Sequence, residues 1–101
     1  MMTIFALSTG PGISGVAIIR VSGPEASTVI KTLTGKGIPK PRMATLRKIS
    51  NYNTSELIDE GIIIWFPGPE SYTGEDMAEI HVHGGKAVVL EVQNQISRFK
   101  N

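Results

Sequence analysis

The sequence predicts an α+β domain, with a mixed or antiparallel sheet and helices packed on one of its faces. Five stretches rich in β-branched and aromatic residues alternate with two amphipathic stretches in the order β-β-α-β-β-β-α. Two helices placed so irregularly are too few for the repeated βαβ units of a doubly wound parallel fold. The length of 101 residues predicts a single domain, and 41% hydrophobic with 19% charged residues is typical of a globular one.

The first two strands are predicted at residues 3–8 (TIFALS) and 16–21 (VAIIRV). The loop between them, GPGISG, has the G-x-G-x-x-G spacing of dinucleotide-binding folds. That motif must open a helix, whose N-terminus holds the phosphates, whereas a strand follows here. Pro11 also lacks an N–H to offer a phosphate. We therefore predict a hairpin loop with glycine at positive φ instead of a nucleotide site.

Two helices are predicted from apolar spacing. The first begins after Ser22, the predicted N-cap, has Pro24 in its first turn and ends at Gly35, a left-handed stop. The second covers residues 86–100, where β-branched residues are frequent. Their apolar faces comprise Ala26, Val29, Ile30 and Leu33 in the first helix, and Val88, Val89, Val92, Ile96 and Phe99 in the second.

Three further strands are predicted between these helices. Residues 44–50 (ATLRKIS) alternate weakly in hydropathy, and residues 77–83 (MAEIHVH) form a short strand. Residues 57–66 (LIDEGIIIWF) end in a continuous apolar run, which predicts a central strand. The stretches NYNTSE and PGPESYTGED are predicted as a turn and a loop from their Asn, Ser, Gly and Pro content.

Composition excludes several classes of protein. A net charge of +1 gives no overall basic field toward nucleic acid or anionic membrane, and the absence of cysteine excludes a disulfide scaffold and a thiol nucleophile. The apolar runs are too short to span a bilayer. The N-terminus MMTIFALST has neither the basic region of a secretory signal nor the Arg-rich character of a transit peptide.

Arg20 is the first candidate functional residue. Alternation along the strand places it on one face with Val16 and Ile18, in otherwise apolar surroundings. A partly buried guanidinium would need an anionic partner. The alternative is that Arg20 lies at the strand end and reaches solvent along its apolar stem.

The strand at residues 77–83 carries the second candidate group. Ala78, Ile80 and Val82 form its core side, which places Glu79, His81 and His83 together on the opposite face with Met77. Glu79, His81 and His83 could bind zinc or another divalent metal, line a polar rim, or supply acid and base groups near neutral pH. No nucleophile for them to serve is evident in the sequence.

Two local clusters complete the candidates. A basic cluster could contact phosphates or form an ordinary solvated surface. Trp65, Phe66 and Tyr72 could line a binding surface or close the end of a small core. The members of the basic cluster are Lys36, Lys40, Arg42, Arg47 and Lys48.

Two long stretches of the sequence resemble a known family. TIFALSTGPGISGVAIIRVSGP and LIDEGIIIWFPGPESYTGEDMAEIHVHGG resemble the N-terminal domain of the tRNA-modification GTPases called MnmE or TrmE, and WFPGPESYTGED…EIHVHGG is highly specific. The resemblance implies a fold like the folate-binding domain of the glycine-cleavage T-protein. It also implies a homodimer that binds 5-formyl- or methylene-tetrahydrofolate.

For the full protein the resemblance implies modification of carbon 5 of the wobble uridine in tRNA. The reaction is expected to need GTP hydrolysis, with Mg and K bound by the GTPase domain. The expected partner is the flavoprotein MnmG (GidA), and no membrane association is expected. Location is expected to be cytoplasmic for a bacterial member and mitochondrial for a eukaryotic one. Without a G-x-x-x-x-G-K-S/T motif, this chain is expected to lack GTPase activity and to be residues 1–101 of a longer protein, an incomplete N-terminal domain without its helical and GTPase domains.

Two folate-contacting positions carry over by resemblance, namely the arginine of IIRVSG, Arg20, and the glutamate of GEDMAEI, Glu79. A carboxylate can accept paired N–H bonds from the amino-pyrimidine edge of a pterin, and an arginine can hold a ligand oxygen or orient the carboxylate. The glycine-rich loop departs from the family pattern, because Gly10 and Ile13 stand where a proline and an arginine are common. The open alternatives are a metal-binding enzyme domain built on Glu79, His81 and His83, and an RNA-binding module.

Overall fold

The computed structural model describes residues 3–7 and 15–99. These residues form five strands and two helices in the predicted order, which confirms the α+β class. The strands are β1 Ile4–Leu7, β2 Val16–Ser22, β3 Thr45–Ser50, β4 Leu57–Phe66 and β5 Met77–His83. The helices are α1 Ala26–Thr34 and α2 Lys86–Ser97.

The strands form one sheet in the order β1-β2-β5-β4-β3, and every neighbouring pair is antiparallel. β4 lies between β5 and β3, as its continuous apolar run predicts. β1 and β2 pair as the two arms of the predicted hairpin. Residues 10–14 of its glycine-rich loop lie outside the described residues, and so does the predicted positive φ of that segment.

Both helices pack on one face of the sheet. Alternate residues of the strands point toward them, so Ile19, Ile63 and Ile80 are almost completely buried, as period-2 patterning requires. The predicted apolar face of α1 is buried in the same cluster, and Val92 and Ile96 of α2 complete it. The core is therefore a single layer between the sheet and the two helices.

The predicted start of α1 is wrong, because Ser22 is the last residue of β2 and the helix begins at Ala26. The Ser22 hydroxyl lies 2.6 Å from that of Thr73 and does not cap the helix. Glu25 occupies the N-cap position without a side-chain cap, and its backbone N–H donates to Thr3 Oγ1 at 2.7 Å. The predicted stop at Gly35 is confirmed by its φ of 68°.

Helix α2 buries a polar residue that the apolar pattern does not reveal. Gln95 is almost completely buried, where its Oε1 accepts from the Tyr52 N–H and its Nε2 donates to Glu91. Both ends of the amide are thereby satisfied, as burial demands. Neither helix of the described residues has the length and apolar character needed to cross a membrane.

Candidate functional site

The face of the sheet opposite the helices, called the open face below, carries the candidate residues. Register pairs Arg20 of β2 with Glu79 of β5 and Glu79 with Ile64 of β4, so these three side chains lie in one row. The next row contains Ile18, His81 and Ile62. Arg20, Glu79 and His81 are therefore bordered by isoleucines in the middle of this face. The predicted sharing of one face by Glu79, His81 and His83 follows from the same strand alternation.

Arg20 and Glu79 form an ion pair at the centre of the open face. Arg20 Nε donates to Glu79 Oε2 at 2.9 Å, with 37% of the Arg20 and 14% of the Glu79 side chain exposed. This geometry supports the interpretation of Arg20 as a partly buried group with an anionic partner. Because the pair joins adjacent strands, the sheet itself fixes the separation of the two groups.

The loop 67–76 lays an aromatic ring over this arginine. The Arg20 guanidinium carbon lies 4.9 Å from the centroid of Tyr72, a cation–π contact, while 82% of Tyr72 is exposed. The bond between Ser22 and Thr73 ties the same loop to the end of β2. Trp65 is buried in the core instead, which confirms for this residue the alternative of closing the end of a small core.

His81 holds the other oxygen of Glu79. Its Nε2 lies 2.9 Å from Glu79 Oε1, so each carboxylate oxygen has one partner. Burial raises the pKa of Glu79, but the hydrogen bonds from His81 and Arg20 and their charges outweigh it, and the pKa lies below its ordinary value of 4.5. Glu79 is therefore an ionised acceptor at neutral pH.

His83 has a different carboxylate partner. Its backbone N–H donates to Asp59 Oδ2 at 2.9 Å, and its Nδ1 lies 2.8 Å from Asp59 Oδ1. Burial raises the pKa of Asp59, yet the hydrogen bonds from His83, with smaller contributions from the Glu60 backbone and the His83 charge, bring it below its ordinary 3.8.

The metal-site alternative is not supported by this arrangement. Glu79 and His81 pair with each other, whereas His83 turns to Asp59, so the three residues do not form one ligand set. Across the part of the chain that the structure describes, no group of three His, Cys, Asp or Glu side chains could hold a metal ion. Sequence reasoning placed the three residues on one face correctly but missed Asp59, because pairing across β4 and β5 has no local signal.

A shallow cavity of about 220 Å³ adjoins the histidine end of the open face. Its apolar lining includes Val16, Leu46 and Ile62, and His81, His83 and Glu60 supply polar groups.

The basic cluster is dispersed over a connection and an edge strand. Lys36, Lys40, Arg42 and Lys48 are exposed, while Arg47 is half-buried. Arg42 donates to the backbone carbonyl of Glu70, which commits part of its guanidinium to the fold.

Comparison with known proteins identifies the family. A family model described as GTP-binding protein TrmE N-terminus matches residues 3–100. The chain is 68% identical over 100 residues to the tRNA modification GTPase MnmE of Pelagibacter ubique. The alignment covers 99% of this chain and 23% of that protein.

Two eukaryotic relatives are also similar. The chain is 55% identical over 87 residues to the mitochondrial tRNA modification GTPase mss1 of Schizosaccharomyces pombe, covering 86% of this chain and 17% of the relative. It is 53% identical over 90 residues to a mitochondrial 5-taurinomethyluridine tRNA synthase subunit, GTPB3, of Danio rerio, covering 89% and 18%. The chain thus spans less than a quarter of the length of these curated relatives.

Proposed function

The chain belongs to the family of the N-terminal domain of GTP-binding protein TrmE, and from that membership we propose that it binds a one-carbon tetrahydrofolate and dimerises as a module of a tRNA-modification GTPase. The observation that carries the folate proposal is the Arg20–Glu79 ion pair at the centre of the open face. The proposed ligand is 5-formyl- or methylene-tetrahydrofolate, with its pterin ring against this pair.

The chemistry of the pair fits a pterin. An ionised carboxylate has about four lone-pair sites, and in Glu79 one site on each oxygen is engaged by Arg20 or His81. Both oxygens therefore keep acceptor capacity for the paired N–H groups of an amino-pyrimidine edge. Arg20 uses its Nε for Glu79, and a guanidinium has further N–H donors with which to meet a ligand oxygen.

The apolar residues around the pair suit a flat heteroaromatic ring and a protein partner. Ile64 pairs with Glu79 and Ile18 pairs with His81 in the register, both isoleucines are half-buried, and Tyr72 supplies an exposed ring. Farther out on the same face Ile4, Val16 and Leu46 are exposed. Exposed apolar side chains collected on one sheet face favour association, and the occupant that we propose is a second copy of this chain.

The activity of the longer protein is proposed from its relatives. Two of them are named tRNA modification GTPases, and the name of the Danio rerio protein refers to a uridine substituted at carbon 5. We infer that the full protein acts on that carbon of the tRNA wobble uridine, hydrolyses GTP with Mg and K through other domains, and works with the flavoprotein MnmG. Since relatives are bacterial or named mitochondrial, the proposed location is the bacterial cytoplasm or the mitochondrion.

Calorimetric titration with 5-formyltetrahydrofolate tests the ligand. Arg20→Ala and Glu79→Ala each remove a charged hydrogen-bonding group, and a bond of that kind contributes about 1.5–3 kcal/mol, so the dissociation constant should rise by about tenfold to a hundredfold. Lys48→Ala and Glu56→Ala, two exposed charges away from the pair, are the matched controls and should match wild type.

Equal affinity in all five proteins would show that the pair does not hold the ligand. Absence of binding both in this chain and in a chain extended to the length of its relatives would exclude the folate proposal.

Sedimentation equilibrium tests the dimer. Leu46→Lys places a charge on the open face and should shift the protein toward monomer. Leu90→Lys alters an equally exposed leucine on α2 and should leave the mass unchanged. A wild-type monomer at all concentrations, or a dimer lost only with Leu90→Lys, contradicts the proposed interface.

A further inference from the structure

His81 is the second anchor of the Glu79 carboxylate, and we propose that it acts as a positioning residue that fixes this carboxylate for the ligand. This inference rests on the proposed function. Arg20 Nε holds Oε2 and His81 Nε2 holds Oε1, both at 2.9 Å. His81 is needed because one hydrogen bond to one oxygen leaves the carboxylate able to turn about its last side-chain bond.

The terminal torsion of a glutamate is broad and roughly two-fold, so its carboxylate plane has no strong preference of its own. Two donors from different directions define that plane. Glu79 is held by Arg20 from β2 and by His81 from its own strand, two residues farther along β5. A ligand that makes two parallel hydrogen bonds requires a fixed plane, since misorientation weakens both bonds together.

The environment keeps His81 in this role. Only 24% of its side chain is exposed, and its backbone carbonyl lies so close to β4 that a Cβ on Gly61 would be 2.1 Å from the oxygen. The backbones of β4 and β5 therefore approach each other closely at the residue that carries the imidazole. To donate to Glu79, a neutral His81 must carry its proton on Nε2.

His83 provides the comparison within the same strand. It lies on the same strand face as His81, but its ring meets Asp59 and 76% of its side chain is exposed. If any imidazole on this face supported ligand binding, replacing either histidine would weaken it. If the hydrogen bond to Glu79 is what matters, only replacement of His81 would do so.

The experiment compares three variants of the whole chain. His81→Leu removes the donor, His81→Gln retains an N–H donor of similar reach, and His83→Leu is the matched control. Affinity for 5-formyltetrahydrofolate is measured by calorimetry, and the Glu79 carboxyl is titrated by carbon-detected NMR. The nitrogen shifts of His81 in the wild type, recorded at pH 8, report which ring nitrogen carries the proton.

We expect the wild type to show the Nε2–H tautomer. His81→Leu should weaken folate binding about tenfold, the effect of one lost charged hydrogen bond. It should also raise the pKa of Glu79, because one of the two groups that lower that pKa is gone. His81→Gln should recover most of the affinity, and His83→Leu should match wild type in both measurements.

Distinct results would overturn the inference. A ring proton on Nδ1 alone in wild type, with Nε2 bare, or an unchanged Glu79 pKa in His81→Leu, would show that His81 does not hold the carboxylate. If His81→Gln lost as much affinity as His81→Leu, ring shape and not hydrogen bonding would matter. Failure of both this chain and the chain extended to the length of its relatives to bind folate would instead refute the proposed function, and with it any positioning for that ligand. The NMR measurements would still decide the contact with Glu79.

Discussion

Arg20 Nε and Glu79 Oε2 are 2.9 Å apart although the two residues are separated by 59 positions in the sequence. The antiparallel register of β2 and β5 places them directly opposite each other.

Removal of Arg20 should destabilise the folded protein at pH values where Glu79 is ionised. Because the pKa of Glu79 is lowered in the folded state, its contribution to stability is complete above the ordinary value of 4.5 and is lost as pH falls through the lowered folded pKa. Arg20→Met should lower the free energy of unfolding at pH 7 by only about 1 kcal/mol, because Arg20 is partly exposed. It should also reduce the drop in that free energy on acidification. Urea unfolding at pH 7 and pH 3 measures both effects, with Lys48→Met as control. An Arg20→Met stability curve parallel to that of wild type would refute the coupling.

Loss of the Tyr72 ring should free the Arg20 guanidinium. Cation–π contacts at exposed positions contribute about 0.5–1 kcal/mol, so Tyr72→Ala should change the unfolding free energy by no more than that. Nitrogen relaxation of Arg20 Nε should report faster motion in Tyr72→Ala and wild-type behaviour in Tyr72→Phe, which keeps the ring. Identical relaxation in all three proteins would mean that the ring does not restrain the arginine.

Asp59 should stabilise the C-terminal end of β5 and slow amide hydrogen exchange there. Asp59→Asn replaces a carboxylate that accepts from both the backbone and the ring of His83, which should cost about 1–3 kcal/mol at neutral pH. Since the pKa of Asp59 is lowered in the folded state, this stabilisation is complete above 3.8 and is lost as pH falls through the folded pKa. Amide hydrogen exchange at His83 should accelerate in the variant. Unchanged exchange together with unchanged stability would exclude this role.

Gly61 should tolerate no side chain. A Cβ there would lie 2.1 Å from the His81 backbone oxygen, so Gly61→Ala must displace β4 or β5 and should destabilise the fold by about 1–3 kcal/mol. Gly37→Ala is the matched control, because nothing lies within 4 Å of its added Cβ. Thermal unfolding measures the difference. Equal melting temperatures for the two variants would show that the close approach is not maintained in solution.

Much of the fold is encoded by short-range patterns. Alternation in β2 and β5 correctly separates the core residues Ile19 and Ile80 from Arg20, Glu79 and His81, although Met77 on the Glu79 side is also buried. The i, i+3, i+4 spacing correctly predicts the buried face of α1. The stop at Gly35 follows from its freedom to adopt positive φ. These features depend on neighbours within a few residues, which a single sequence displays directly.

Short-range signals also mislead where a tertiary contact competes with them. Ser22 has the chemistry of an N-cap, but pairing with Met77 extends β2 through it and its hydroxyl meets Thr73. The apolar spacing of α2 does not include Gln95, yet this residue is buried, and the Tyr52 N–H and Glu91 satisfy its amide. In both cases a deciding partner, Thr73 for Ser22 and Tyr52 for Gln95, lies more than 40 residues away in the sequence.

The sequence by itself determined the strands, the helices and the face on which each candidate side chain stands, because backbone periodicity assigns these from adjacent residues. Only the tertiary structure decided which carboxylate meets which cation or imidazole. Strand order puts β5 between β2 and β4, so Glu79 meets Arg20 while His83 meets Asp59. Those pairings depend on register between segments distant in the chain, and register is set by the packing of the whole sheet.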